Sequence, residues 1–360
     1  MVFFIAMNYI QYKAGASILP IIRDEGLRPE RIRVFAGPAG GPKWFVSVGF
    51  DRAIIKARFL EKAGRVVLAG ASAGAWRCLT IACADPLDAH ERLRISYSRN
   101  VFTKADTPET IGAALKKNVE AFLQPHDIPV VLEHPIYQMA VHTARGRGPI
   151  GSELRKTQAA GLITAALANV LSSRTTNLFF ERVVFFSGSD TPKFLIDGFR
   201  GTAVKLTAEN LRSAALATGS LPYFVAGVRN IPGAPPGIYR DGGITDYQLN
   251  QDYAPGTGGM TMFFHYQERI VPGWFDKRLF WRAPTKSQLD SVFQVFPGAD
   301  FLKLLPEGRL PDRNDFVIYA DNPSERIRRW DEVSRLSEIL GEQFINDVES
   351  GRIRNLVQAL

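Results

Sequence analysis

Two stretches between residues 31 and 85 each run apolar strand, glycine turn, helix, and this repeat constrains the fold more than any other feature. Arg31-Ile32-Arg33-Val34-Phe35-Ala36 reads as a short strand and breaks at Gly37-Pro38-Ala39-Gly40-Gly41. Pro42 suits the first position of a helix, where no backbone N–H is needed, and Val48, Phe50 and Ile54 mark its apolar side. Arg65-Val66-Val67-Leu68-Ala69 is the second strand. It turns at Gly70-Ala71-Ser72-Ala73-Gly74 into a helix through Trp76, Leu79 and Ile81. A helix between two strands returns the chain so that they pair in parallel, and parallel sheets are covered on both faces. The expected class is α/β with a mostly parallel central sheet.

Residues 86 to 175 interrupt the alternation with a mainly helical excursion, read as scaffold, with a lid or wall over a site as the alternative. Thr107-Pro108-Glu109 opens a helix with Ile111, Leu115, Val119 and Phe122 on one face. A second helix is expected near 152–173, with a strand over Ile136–Thr143 between them. Strand character returns at Arg182–Phe186 and Pro192–Ile196, and the turn Ser187-Gly188-Ser189-Asp190 predicts a hairpin. Ala208–Thr218 is a helix of small residues stopped by Gly219. Residues 228–240 form a loop, and Gly259–His265 is another strand.

From Asn322 to Leu360 the chain is helical, with Asn322 as cap, Pro323 in the first turn and Glu325 completing a capping box. Ile327, Trp330, Leu336, Leu340 and Phe344 form a stripe that packs on the core, with a membrane-surface helix as the alternative.

The 360 residues carry 44 basic and 36 acidic side chains, a formal charge of +8 that favours anionic partners. No zinc-finger spacing or RNA-binding aromatic pattern accompanies it, so a membrane surface is expected rather than nucleic acid. No apolar run approaches the roughly 18 residues of a membrane-spanning helix. Met1–Met7 is apolar but makes a poor signal peptide, and is expected as a buried first turn or strand. Cys78 and Cys83 read as reduced core thiols, which suits a cytoplasmic location, peripheral to membrane at most. The five histidines form no metal-ligand spacing, and no metal or cofactor is expected.

Three short segments carry chemistry. Gly70-Ala71-Ser72-Ala73-Gly74 is a GxSxG pattern, whose glycines allow the sharp strand-to-helix turn that pushes a serine Oγ outward. Gly37–Lys43 departs from the phosphate-binding P-loop, with Pro42 in place of its last Gly and Trp44 after the lysine. Its N–H groups remain able to converge on an oxyanion. Asp241-Gly242-Gly243 is by itself a turn, but a carboxylate beside a serine can take its proton.

A Gly-rich loop after a first strand, then GxSxG, then DGG resembles the patatin-like phospholipases. Ala214-Ala215-Leu216-Ala217-Thr218-Gly219-Ser220-Leu221-Pro222-Tyr223-Phe224 is similar to the family's small-residue helix before the catalytic Asp. The resemblance spans roughly residues 31 to 250 and implies a three-layer α/β/α fold with a Ser–Asp dyad that acts on lipid or other acyl esters. It makes Ser72 the nucleophile and Asp241 the base. Gly40, Gly41 and Ala73 become the oxyanion donors, and Lys43 becomes the residue that orders the Gly loop. It divides the chain into an N-terminal extension (1–30), a catalytic domain (31–270) and a C-terminal extension (271–360).

The loop departs from the family's GGGx[KR]G: Pro42 cannot donate, and Trp44 is expected to narrow the approach to the site. Two rival readings stand beside this one. The first is an α/β-hydrolase triad of Ser72, Asp241 or Asp246, and His265. The second is an inactive relative that binds membrane surfaces. Asp246 is expected at the surface, with a supporting place behind Asp241 as the alternative, and His134 and His142 as ordinary core or surface imidazoles.

Overall fold

The computed structural model describes residues 9–196, 200–254 and 258–360; the Met1–Met7 segment lies outside them. The described residues form an α/β chain built on a single sheet of eleven strands. In chain order these are β1 (Ile10–Ala14), β2 (Ile32–Gly37), β3 (Val66–Ala71), β4 (Tyr137–Gly146), β5 (Phe180–Phe186) and β6 (Thr202–Lys205). They continue as β7 (Val228–Arg229), β8 (Ile238–Asp241), β9 (Met260–Phe264), β10 (Val292–Pro297) and β11 (Gln358–Ala359). The order across the sheet is β11-β1-β10-β9-β2-β3-β4-β5-β6, with β8 paired to β4 and β7 to β8. From β10 through β9, β2 and β3 to β4 every pairing is parallel.

Alternation along the strands assigns the two faces. Phe35, Val66, Leu68, Met139, Val141, Val183 and Phe185 enter the main core. It is covered by α1 (Val48–Lys56), α2 (Ala73–Ile81), α3 (Pro86–Ser98) and α4 (Pro108–Phe122). The alternate residues Val34, Ala36, Ala69, Ala140, Val184 and Phe186 pack with Phe194, Leu249 and Tyr253 on the other face. There α5 (Arg155–Leu171) sets Ala165 against Ala144, Phe180 and Ile244. The result is a three-layer α/β/α sandwich with a mostly parallel sheet.

The flanks join the same sheet. β1 pairs antiparallel with β10 and parallel with β11. The helix expected after Asn322 divides into α7 (Pro323–Leu336) and α8 (Glu338–Glu349), counting Leu211–Thr218 as α6. Trp330, Val333, Leu340 and Phe344 are buried in the main core, so this stripe packs inward as expected. Asn322 caps by accepting the Glu325 N–H at 3.2 Å, but the Glu325 carboxylate turns to Arg328 and Arg329 and closes no capping box.

Two local expectations are corrected. The segment after Phe186 is not the second arm of a hairpin. Lys193–Leu195 is a 3-10 turn that buries both Phe194 and Leu195, and β5 pairs instead with β4 and β6. Two consecutive residues cannot both face one side in a strand, which is why the turn prevails. Within the loop expected at 228–240, β7 and β8 pair as a short hairpin, so Asp241 ends a strand.

The parallel strands β2, β3 and β4 end on one edge, and β8, antiparallel to β4, brings its last residue to the same edge. Gly37 pairs with Gly70, Ala71 with His142 and Thr143 with Asp241. The Gly loop, Ser72 and Asp241 therefore gather at the carboxyl edge of the sheet, where open α/β folds hold their sites.

Candidate active site

Ser72 stands between β3 and α2 with φ +55° and ψ −133°, a backbone that side-chain-bearing residues avoid and that costs ~1–3 kcal/mol. The glycines around it are demanded by contact. A Cβ on Gly74 would lie 2.1 Å from the Gly37 carbonyl oxygen, and one on Gly70 would lie 2.8 Å from the Ala75 nitrogen. The turn is this sharp because α2 starts hard against the end of β2. The Ser72 N–H donates to Thr218 Oγ1 at 2.8 Å, and that hydroxyl donates onward to the His142 carbonyl at 2.5 Å.

Ser72 Oγ donates to Asp241 Oδ2 at 2.8 Å. The other carboxylate oxygen accepts the Gly243 N–H at 2.8 Å, and the Asp241 N–H donates to the Ser220 carbonyl at 2.9 Å. Gly242 has no room for a side chain, because its Cβ would lie 2.1 Å from the His142 oxygen. Burial raises the Asp241 pKa above the ordinary carboxylate value, against the pull of Arg313, the Gly243 N–H, the Ser72 hydroxyl and Lys277. A carboxylate so placed is a stronger proton acceptor than one in water. Ser72 and Asp241 keep only 4% and 3% of their surface, so the pair is enclosed.

The Gly loop lies beside this pair. Ala39 and Ala71 share a small apolar cluster with Tyr247 and Val271. The Ala39 N–H donates to the Tyr247 carbonyl, and its own carbonyl accepts the Tyr266 hydroxyl. Gly41 has φ +57° and opens a 3-10 helix, Gly41–Ser47, that leads into α1; Pro42 sits in its first turn. A Cβ on Gly40 would meet the Tyr266 ring at 2.5 Å, and one on Gly41 would meet Arg313 Nε at 2.8 Å. Ala73 is the first residue of α2. The N–H groups of a first helical turn have no carbonyl a turn earlier, so those of Gly41 and Ala73 fall where donors stand unclaimed. Lys43 lies 3.8 Å from Asp312 and 5.3 Å from the Tyr266 ring centre.

Outside the dyad, a cleft of about 430 Å³ has Gly40 in its wall. Among the described residues, Lys43, Arg269, Lys277, Arg278 and Arg313 line it against a single carboxylate, Asp312. Lys277 lies 4.3 Å from the centre of the Tyr247 ring, and burial together with Arg313 and Lys43 pushes its pKa down to about 7.

Three expectations change. Trp44 does not narrow the approach: it is buried, stacked on Phe45 and edge-on to His90 and Tyr97. Asp246 is buried rather than exposed, accepts the Tyr253 hydroxyl at 2.6 Å, and burial raises its pKa. His265 is buried with Nδ1 against the main chain of Gln267, and burial lowers its pKa to about 3. It forms no hydrogen bond with Ser72 or Asp241, and His142 enters the pair's network only through its backbone carbonyl.

No family model and no curated protein sequence matches this chain. The site therefore rests on its geometry.

Three residues of that geometry were not picked out from the sequence as site residues: Thr218, Lys277 and Arg313. Thr218 carried a signal, since it lies in the small-residue segment ending at Gly219, although nothing local says that its hydroxyl holds Ser72. Lys277 and Arg313 carried none, because only the tertiary fold brings the C-terminal flank over Gly41. Helix α2 itself is fixed by Arg77, which makes two 2.7 Å bonds to Asp51 of α1. Asp51 also meets His90 of α3 at 3.1 Å.

Proposed function

We propose that this chain is a serine carboxylic-ester hydrolase that acts on lipid or other acyl esters through a Ser72–Asp241 dyad, as the patatin-like phospholipases do. The observation that carries the reading is the 2.8 Å bond from Ser72 Oγ to a buried carboxylate, made by a serine held in a left-handed strand-to-helix turn. Few structural roles require a strained serine aimed at a desolvated base.

In this reading Asp241 Oδ2 takes the hydroxyl proton as Oγ bonds to the ester carbonyl carbon. The negative charge on the carbonyl oxygen is met by N–H groups of Ala73 and of Gly40 or Gly41, aided by the positive end of α2. Collapse breaks the bond to the alcohol oxygen, which leaves with the proton from Asp241, and the acyl group stays on Ser72. Water then gives its proton to Asp241 and its oxygen to the acyl carbon, and the acid departs as Ser72 recovers its hydrogen. The basic cleft beside Gly40 supports esters that carry an anionic group.

The test is labelling with a fluorophosphonate, together with hydrolysis of a short-chain ester, for wild type, Ser72→Ala, Asp241→Ala and His265→Ala. Labelling is expected at Ser72, with turnover down about 10⁴-fold or more in the first two variants and kept in the third. An essential His265 would replace the dyad by a triad. An unlabelled, inactive wild type would leave a binding protein.

A further inference from the structure

The sandwich leaves a strip of large apolar side chains on its surface. Helix α5 buries Gln158, Gly161, Ala165 and Asn169 along one side. Its opposite side carries Ile163, Leu167, Val170 and Leu171, all exposed. A surface helix normally turns polar residues outward, whereas this one turns its large apolar side chains outward and keeps Gln158 and Asn169 on its buried side. The strip continues past the end of the helix. Arg282 Nη2 donates to the Asn169 and Val170 carbonyls and so ties the Phe280–Trp281 segment to the end of α5. Leu171, Phe280 and Trp281 are 86%, 82% and 68% exposed, and Leu178 of the short helix Thr176–Phe179 stands out beside them.

Charge on this strip has one sign. Residues 154–179 and 277–289 hold no Asp or Glu, while Arg155, Lys156, Arg174, Arg278 and Lys286 are exposed. A second copy of the chain would bring the same cations against themselves, which disfavours self-association. Exposed Trp and Phe among Arg and Lys suit instead the boundary between anionic headgroups and acyl chains.

We propose that the outer face of α5 with the Phe280–Trp281 segment docks on an anionic phospholipid bilayer. The docking surface adjoins the mouth of the basic cleft. Arg278 lines that cleft and immediately precedes Leu279-Phe280-Trp281, and the Arg269 guanidinium, also in its wall, lies 5.4 Å from the Phe280 ring centre. Docking therefore turns the cleft toward the lipid. The surface stands on its own observations; only the supply of substrate to Ser72 rests on the hydrolase reading.

Co-sedimentation of the full chain with vesicles of phosphatidylcholine, with and without phosphatidylserine, tests it, alongside Trp emission. Expected is binding to the anionic vesicles with a blue shift. Phe280→Ala/Trp281→Ala and Leu167→Ser/Leu171→Ser should each weaken binding about tenfold or more and leave thermal unfolding and any turnover of a water-soluble ester unchanged. Ser72→Ala should bind as wild type, so a chain that binds vesicles but hydrolyses nothing would sink the enzyme reading and spare this one. Wild type that ignores anionic vesicles, or double variants that bind as tightly as wild type, would overturn the proposal. So would dimerisation in ultracentrifugation that Leu167→Ser/Leu171→Ser abolishes, since that would make the strip a contact between copies.

Discussion

Lys277 shows how one residue can tie the cleft to solution pH. Its ammonium is half-buried near the rings of Tyr247 and Trp274, and its pKa is pushed down to about 7 by burial, Arg313 and Lys43, with Asp241 and Asp312 pulling the other way. It is charged below that pH and neutral above it. If the cleft holds an anionic part of the substrate, KM for an anionic ester should rise as pH passes upward through about 7, while KM for a neutral ester of equal size stays level. Lys277→Gln should flatten that profile and raise KM about tenfold at pH 6, the size of one lost charge-assisted hydrogen bond of ~1.5–3 kcal/mol. Parallel profiles for the two esters would remove Lys277 from substrate binding. At this scale the sequence was legible where chemistry is written locally. GxSxG and DGG named Ser72 and Asp241, because a sharp turn needs flanking glycines whatever surrounds it. Lys277, Arg313 and the hydroxyl of Thr218 act across long stretches of chain, and no local pattern marks them.

At the scale of elements, helix α2 places Ser72, and its own position depends on a buried charge. Burial works to raise the Asp51 pKa, but the two bonds from Arg77 and the contact with His90 outweigh it, and the net shift is downward. Its stabilisation is therefore complete above the ordinary carboxylate pKa and fades as pH falls through the lower, folded-state value. Asp51→Ala leaves the Arg77 guanidinium buried without its partner and should cost ~3–5 kcal/mol in denaturant unfolding, whereas Asp51→Leu combined with Arg77→Met should cost much less. Equal losses in the two proteins would mean that packing, not charge, holds α1, α2 and α3 together. The parallel strands β2, β3, β4 and β9 and the helices α4, α5 and α6 were readable from apolar runs, turn glycines and caps, whereas β10 was not picked out. Lys193–Leu195 misled because a short apolar run beside a Gly turn looks like a strand until both Phe194 and Leu195 prove buried. The β7–β8 hairpin was hidden by a loop rich in Pro and Gly.

For the molecule as a whole, the question is whether residues 31–270 form a domain with appended flanks or only the middle of one core. The α/β/α layering followed from the first two units, because parallel strands require covered faces. The part played by the flanks did not, since β1 pairs with β10 and β11 from the far end of the chain. Phe50 of α1 stacks on Phe264 of β9 at 3.9 Å, and Phe344 of α8 covers Phe50 at 4.9 Å. A fragment of residues 31–270 would strip β10 from β9 and leave these rings in water, each large side chain forfeiting ~1.5–3 kcal/mol. Against a net stability of ~5–15 kcal/mol for a whole protein, that loss is decisive. The fragment should therefore lack a cooperative thermal transition and near-UV dichroism, while the full chain shows both. It would also lose Lys277 and Arg313, so the basic cleft belongs to the complete chain rather than to its central two thirds. A fragment that melts cooperatively would instead make the flanks additions to an autonomous centre, and the cleft would become an accessory to a site that folds without it.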